Sequence, residues 1–336
     1  MAVRVGINGF GRIGRDVLRA AFDRQDAAFE IVAVNDVTDA ETLAHLLAFD
    51  STYGPWRRSI TTEHDTITVD DRSILVSSHA DPSDLNWGLL GVDIVIEATG
   101  RFRTREAAGI HLERGARKVL ITAPGKDVDA TIVMGVNDDT YEPGKHHVIS
   151  NASCTTNCAA PMAAVLDEAF GIVEGLMTTI HSYTGDQALL DRPHKDLRRA
   201  RSAAVNIIPT STGAAKAIGQ VIPSLDGKLD GLAVRVPVED GSLTDLTVRL
   251  AEPATADQVN RAFAEAADRQ LKGILRYTTD PVVSRDIIGD PASCVFDASL
   301  TKAQGHVVKV MGWYDNEWGY ANRTLDLTDR IARALP

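Results

Sequence analysis

Short β-branched runs alternate with amphipathic helical stretches along the first part of the chain. From residue 3 to about 150 they read VRVGIN, GRIGRDVLRAAFDR, EIVAVN, VDIVIEAT, a helix over 104–114, RKVLIT, ATIVMGV and HHVIS. Strand and helix taking turns in this way predicts a parallel, doubly wound α/β sheet. Beyond Asn151 the texture changes, and a helix starting near Cys154 leads into long strand candidates, IVEGLMTTIHSY, DGLAVRVPV and LTDLTVRL. These fit a mostly antiparallel sheet carrying helices on one side, an α+β arrangement. The predicted domains are residues 1–150 and 151–315, with 316–336 a C-terminal helix packing back on the first domain. Its apolar stripe is Tyr320, Leu325, Leu327 and Ile331. No internal repeat or low-complexity tract interrupts the pattern.

Length agrees with two domains, since 336 residues exceed one compact domain. No run of about 18 apolar residues is present to span a bilayer, and no membrane partner is expected. MAVRVGIN passes directly into a strand pattern with no signal-peptide regions, so the expected location is cytoplasmic. The net charge of −11 speaks against nucleic acid as a partner. An anionic substrate must then meet a local cluster of basic residues. The three cysteines, Cys154, Cys158 and Cys294, are too few for a disulfide framework and read as reduced thiols.

Gly9, Gly11 and Gly14 form G-x-G-x-x-G directly after the first strand, where a backbone can turn tightly and approach a pyrophosphate at a helix N-terminus. Asp36 follows Gly14 by 22 residues, at the end of the second strand, where a carboxylate can accept from an adenosine ribose. A Rossmann-type site follows. Asp36 would repel a 2′-phosphate and NDVTDAET supplies no arginine to neutralise one, so the expected cofactor is NAD rather than NADP. The plainer alternative is that Asp36 caps the helix after it.

In SNASCTTNCAAP, Cys154 falls where a strand ends and an apolar helix begins, so helix N–H groups and the helix dipole should lower its pKa and make it a nucleophile. Cys158 lies one turn on, but no second Cys/His pair completes a zinc site and no metal is expected. Cys158 and Cys294 read as small core residues. Nine histidines compete to be the base, and spacing alone selects none.

The strings NGFGRIGR, SNASCTTNCAAP, HSYTGDQ, PHKDLRRARSAA, PTSTGAAKA and WYDNEWGY stand in this order over the whole chain. In that order and spacing the chain resembles the phosphorylating glyceraldehyde-3-phosphate dehydrogenases. The resemblance implies that Cys154 is the nucleophile and His181 its partner. It assigns NAD contacts to Asn8, Phe10, Gly11, Arg12, Ile13, Asp36, Thr99 and Thr122, with Asn316 on the nicotinamide carboxamide. Two anion sites, for the substrate phosphate and inorganic phosphate, would use Ser153, Thr155, Thr184, Arg199, Thr212, Gly213 and Arg235. It implies oxidation of glyceraldehyde 3-phosphate through a thiohemiacetal and a thioester that phosphate cleaves, in a homotetramer whose inter-subunit loop matches residues 184–205.

Several positions depart from the common pattern. Ala80 stands where a basic residue is frequent, Thr122 where Ser is usual, Gly185 for Asn after HSYT, Arg192 before Pro193, and PVEDGS for PTPNVS. Glycine at 185 is expected to free the backbone after Thr184. Two rival readings are an erythrose-4-phosphate dehydrogenase, which hands its thioester to water, and a non-catalytic thiol redox sensor on the same fold.

Overall fold

The computed structural model describes residues 2–336. It divides into two compact units: Met1–Ile132 with Asp138–Ala152 and Ala321–Pro336, and Val133–Asn137 with Ser153–Tyr320.

The first unit runs β1 (Val3–Asn8), α1 (Arg12–Phe22), β2 (Phe29–Asn35), α2 (Ala40–Ala48), β3 (Ile60–Glu63), β4 (Thr66–Val69), β5 (Arg72–Ser77), β6 (Ile94–Glu97), α3 (Arg105–Glu113), β7 (Lys118–Ile121), β8 (Ala130–Thr131) and β9 (Val148–Ser150). Among the described residues they make a nine-stranded sheet in the order β3-β4-β5-β2-β1-β6-β7-β9-β8. The run from β5 to β8 is parallel, and every residue of β6, β7 and β9 is buried, as strands covered on both faces require. The chain reverses direction across the sheet between β1 and β6, and doubly wound sheets bind ligands at such a crevice.

Two details depart from the sequence reading. β3 and β4 add an antiparallel edge to the otherwise parallel sheet. The ATIVMGV run contributes only two residues of strand, because Val136 and Asn137 turn back onto the Val133 carbonyl and the Asn137 side chain accepts the Val133 N–H.

The second unit contains α4 (Cys154–Phe170), β10 (Ile172–Ser182), β11 (Ile208–Ser211), α5 (Ala214–Val221), β12 (Leu229–Val236), β13 (Ser242–Leu250), α6 (Ala256–Asp268), β14 (Leu275–Thr278), α7 (Ser284–Ile287), β15 (Cys294–Asp297), β16 (Lys302–Gln304) and β17 (Val307–Tyr314). Their sheet runs β11-β12-β10-β13-β17-β15-β14, with β16 on β17. It is mostly antiparallel, and β10 with β12 and β14 with β15 are its parallel pairs. Phe263 of α6 stacks on Phe296 of β15 at 3.8 Å between ring centres, joining helix layer to sheet. α8 (Trp318–Arg333) follows, and from Ala321 onward it belongs to the first unit. There Asp326 pairs with Arg24 at 2.7 Å and Asp329 accepts the Ala28 N–H at 2.7 Å.

Candidate active site

The turn after β1 shows why its glycines are glycines. Gly9 has φ 94, and a Cβ there would lie 2.6 Å from the Thr99 nitrogen. A Cβ on Gly14 would lie 2.2 Å from the Gly9 carbonyl oxygen, so α1 can start this close to β1 only without a side chain. Gly11, the N-cap of α1, meets open space, makes no side-chain cap bond, and precedes a first turn free of acidic residues. An anion can approach these N–H groups. Asn8, Gly9, Gly11, Asp36, Ala80 and Thr99 line a cleft of about 200 Å³.

One Asp36 oxygen accepts the Phe10 N–H at 2.7 Å, tying the glycine loop to the end of β2. Helix α2 is capped by Asp39, which accepts the Thr42 N–H at 2.8 Å, so the capping alternative for Asp36 is set aside. Arg12 opens α1 and pairs with Asp50, while Ile13 beside it is half-buried.

Glu97, at the end of β6, organises this crevice and is a residue the sequence reading missed. It is 1% exposed and accepts from Asn8 Nδ2 at 2.6 Å, the Thr99 N–H at 2.9 Å and the Thr99 hydroxyl. Its backbone oxygen accepts both the N–H and the hydroxyl of Thr122. Trp87 donates to His111 Nδ1 at 3.0 Å, so the ring proton sits on Nε2 and goes to Glu97, 3.0 Å away. Two expected cofactor residues, Asn8 and Thr99, thus hang on one carboxylate whose burial is balanced by its donors, and a third, Thr122, hangs on the same residue's backbone oxygen. An acid ending the apolar run Ile94-Val95-Ile96 was its signal.

In the second unit Cys154 is the first residue of α4, and Ser153 caps that helix by accepting the Thr156 N–H at 3.0 Å. Ala152, with φ 55, supplies the sharp turn before it. Cys154 Sγ lies 3.5 Å from His181 Nε2, on β10. His181 Nδ1 lies 2.8 Å from the Ser182 carbonyl oxygen and 3.1 Å from Arg235 Nη1; the carbonyl contact is made by the tautomer with its proton on Nδ1, which leaves the Nε2 lone pair toward sulfur. Arg235 on β12 donates to the same carbonyl at 2.9 Å and to Thr184 Oγ1 at 2.8 Å, and its Nε is buried without a partner.

The charge balance here differs from the sequence expectation. The helix end was expected to lower the thiol. Although Cys154 keeps some exposure as a residue, burial pushes its thiol up to about 11, against the Arg235 charge and the Thr155 N–H. Burial, and then Arg235, push His181 down to about 3. Neither group ionises easily alone. Moving the thiol proton to Nε2 creates both charges together, each the counterion of the other, and that is the accessible route to a thiolate.

The expected anion-site residues divide into two kinds. Ser153 and Thr155 have committed hydroxyls, the first to the α4 cap and the second to Tyr314 at 2.9 Å. Tyr314, also missed in the sequence, accepts or donates to Thr179 at 2.8 Å and stands edge-on to His181. Thr184, Arg199 and Arg235 converge on another missed residue, Asp186. Arg199 pairs with it at 2.7 Å, and Thr184 bonds it. Burial works to raise Asp186, but Thr184, Arg235 and Arg199 outweigh it and hold the carboxyl low. Thr212 Oγ1 accepts the Ala214 N–H at 3.2 Å, and Gly213 caps α5 with open space where its Cβ would be. Asn316 Oδ1 accepts from Ser182 Oγ at 2.8 Å and Ser242 Oγ at 2.7 Å.

Gly185 has no positive φ, and a Cβ there would meet nothing within 4 Å. The common Asn would fit this backbone, so glycine imposes no special loop shape. Among the described residues no group of three or more His, Cys, Asp or Glu is placed to hold a metal, and no helix is long and apolar enough to cross a membrane.

A cradle built for a dinucleotide, in a chain whose other unit sets a thiol against a basic imidazole, defines the class as an NAD-dependent oxidoreductase. Residues 3–105 match the family model described as the NAD binding domain of glyceraldehyde 3-phosphate dehydrogenase, and residues 153–316 match that of its C-terminal domain. The chain is 63% identical to a glyceraldehyde-3-phosphate dehydrogenase of Streptomyces coelicolor over 100% of both chains. It is 57% identical to that of Geobacillus stearothermophilus over 99% of each, and 56% identical to that of Mycobacterium avium over 100% of each. The chain belongs to the glyceraldehyde-3-phosphate dehydrogenase family.

Proposed function

We propose that the protein oxidises glyceraldehyde 3-phosphate with inorganic phosphate to 1,3-bisphosphoglycerate, through a thioester on Cys154. The observation that carries this is the 3.5 Å approach of Cys154 Sγ to His181 Nε2 at the first residue of α4. His181 Nε2 takes the thiol proton as sulfur attacks the aldehyde carbon, and then serves the hydroxyl of the thiohemiacetal as acid and base. Bound NAD supplies the hydride acceptor that turns this adduct into a thioester. Arg235, Arg199 and the N-terminus of α5 hold the two phosphates, supported by the unpartnered Arg235 Nε and the open Gly213. Phosphate oxygen attacks the thioester carbon and the thiolate leaves, with His181 as its counterion. Asn8, Phe10, Gly11, Arg12, Ile13, Asp36, Thr99 and Thr122 are assigned to NAD, and Asn316, with its Oδ1 already accepting, to the nicotinamide amide.

Acyl-product formation measured with and without phosphate tests the reaction. Strict dependence is expected, and equal rates would point instead to hydrolysis of the thioester, as with erythrose 4-phosphate. The comparisons favour neither that substrate nor a sensor role. The protein is assigned to the cytoplasm as a homotetramer, supported by its family and by Leu189, Leu190 and Leu197, each about 80% exposed within 184–205.

His181→Asn removes the imidazole nitrogen 3.5 Å from sulfur, so the thiol must ionise against burial with only Arg235 and the Thr155 N–H to help it. Alkylation of Cys154 by iodoacetamide should then move to higher pH, and an unmoved profile would show that His181 does not assist. Asp36→Gly removes a ribose acceptor and a charge that opposes a 2′-phosphate. The NADP to NAD ratio of kcat/KM should rise by about tenfold or more, and a constant ratio would show that the carboxylate reads no ribose.

A further inference from the structure

Between β12 and β13 the chain reads Glu239-Asp240-Gly241, and these three departures form one built feature. Glu239 pairs with Arg285 of α7. Gly241 has φ 85, and a Cβ there would lie 2.3 Å from the Ser284 carbonyl oxygen, so glycine is what lets the segment close on α7. Asp240, between them, is fully buried and hydrogen-bonded through its side chain to Asp315, itself 1% exposed. Two carboxyl groups share a hydrogen bond only when one carries a proton.

Asp315 is fixed as the acceptor. Its Oδ1 receives the Glu317 and Trp318 N–H groups at 2.9 and 2.6 Å, and its Oδ2 the Gly289 N–H at 2.7 Å. Asp240 is therefore the acid. The charges acting on it, Asp315 and Glu317 from the turn before α8, are both negative, while Arg285 of α7 is engaged by Glu239. Its own strand end offers the Gly241 N–H at 2.8 Å. Burial, then Asp315 and Glu317, raise Asp240 to about 9.

Asn316 follows Asp315 directly, and Ser242, two residues after Asp240, donates to the Asn316 amide. We propose that Asp240 is a positioning residue, a neutral carboxylic acid that locks the 315–317 turn and so aims the Asn316 amide at the nicotinamide carboxamide. This rests on the reading of Asn316 as the group that holds the nicotinamide. Loss of the Asp240 proton turns its donor bond into repulsion, releasing Asn316 while the adenosine end keeps its own contacts.

The test is a fluorescence titration of the full-length protein with NAD and with ADP-ribose, which lacks the nicotinamide, from about pH 7 to about pH 10. Native affinity for NAD should fall about tenfold as pH passes the Asp240 transition, with ADP-ribose changing less than about twofold. Asp240→Asn, whose amide donates without titrating, should stay flat, and Asp240→Ala should show the NAD loss at neutral pH. Equal losses of both ligands in Asp240→Ala overturn the proposal.

Urea unfolding without any nucleotide is the second readout. The folded protein keeps a proton that the unfolded chain has lost between about pH 4 and about pH 9, so native stability falls across that window. Asp240→Asn should remove that fall, and the same slope in both proteins overturns the assignment of the proton. If Asn316→Ala leaves the NAD to ADP-ribose ratio unchanged, the proposal loses its target and is overturned. A Asp240-dependent stability slope in that case locates the failure in the nicotinamide reading rather than in the acid.

Discussion

Cys154→Ser is expected to lower kcat on the order of 10⁴-fold or more, with NAD affinity and the urea midpoint nearly unchanged. Serine keeps the volume and suits the first turn of α4, whose cap comes from Ser153. What it lacks is a proton that His181 can take. The thiol, even pushed up to about 11, can still transfer its proton across 3.5 Å to Nε2, whereas a hydroxyl begins several orders of magnitude further from ionisation. The measurement is single-turnover formation of NADH, alongside steady-state rates and urea unfolding. Turnover within about tenfold of native would remove Cys154 from the reaction, because no neighbouring oxygen nucleophile could replace a thioester at that rate.

The parts of the fold that the sequence made legible are those buried on both faces. IVIE and KVLI read as strands because their polar residues, Glu97 and Lys118, stand only at the ends of apolar runs, and the structure buries each position. The edge hairpins went unread for the opposite reason. ITTE and TITV are short and threonine-rich, and RSILVS is exposed at three of its six positions, so none shows the continuous burial that marks an interior strand. ATIVMGV erred in the other direction, since Ile132 and Val133 are buried outside any strand, just before the turn that closes on the Val133 carbonyl, and burial alone does not specify strand.

At the site, Cys154 was legible from position, one residue inside a helix that follows a strand. His181 was not, because its approach to sulfur depends on the register of β10, 27 residues away in the chain, and no local pattern separates it from the other histidines. Asp186 and Tyr314 were hidden similarly, since each acts by joining side chains from different elements. The direction of the Cys154 shift was misjudged from sequence because a helix N-terminus is visible in a string of letters and desolvation is not.

Arg235→Gln is expected to reduce kcat/KM for glyceraldehyde 3-phosphate about 10²- to 10³-fold and to raise the KM for inorganic phosphate. The guanidinium makes charge-assisted bonds to the Ser182 carbonyl and Thr184 and holds an unpartnered Nε, so glutamine removes a cation and a fixed fork together. Its electrostatic effects on the catalytic pair have opposite signs on the two partners' acidities only in appearance. The positive charge lowers both the Cys154 thiol and the His181 imidazole, so its loss raises both. His181 then holds a proton to higher pH and the thiol yields one later, and the acid limb of the rate profile should move upward in pH. Arg235→Lys separates charge from geometry. Lysine restores the positive charge, and with it most of the pH profile, but a single ammonium cannot reproduce the fork, so the phosphate KM should stay high. If the phosphate KM of Arg235→Gln stays within about twofold of native while the pH profile still moves, Arg235 tunes the thiol and holds no phosphate.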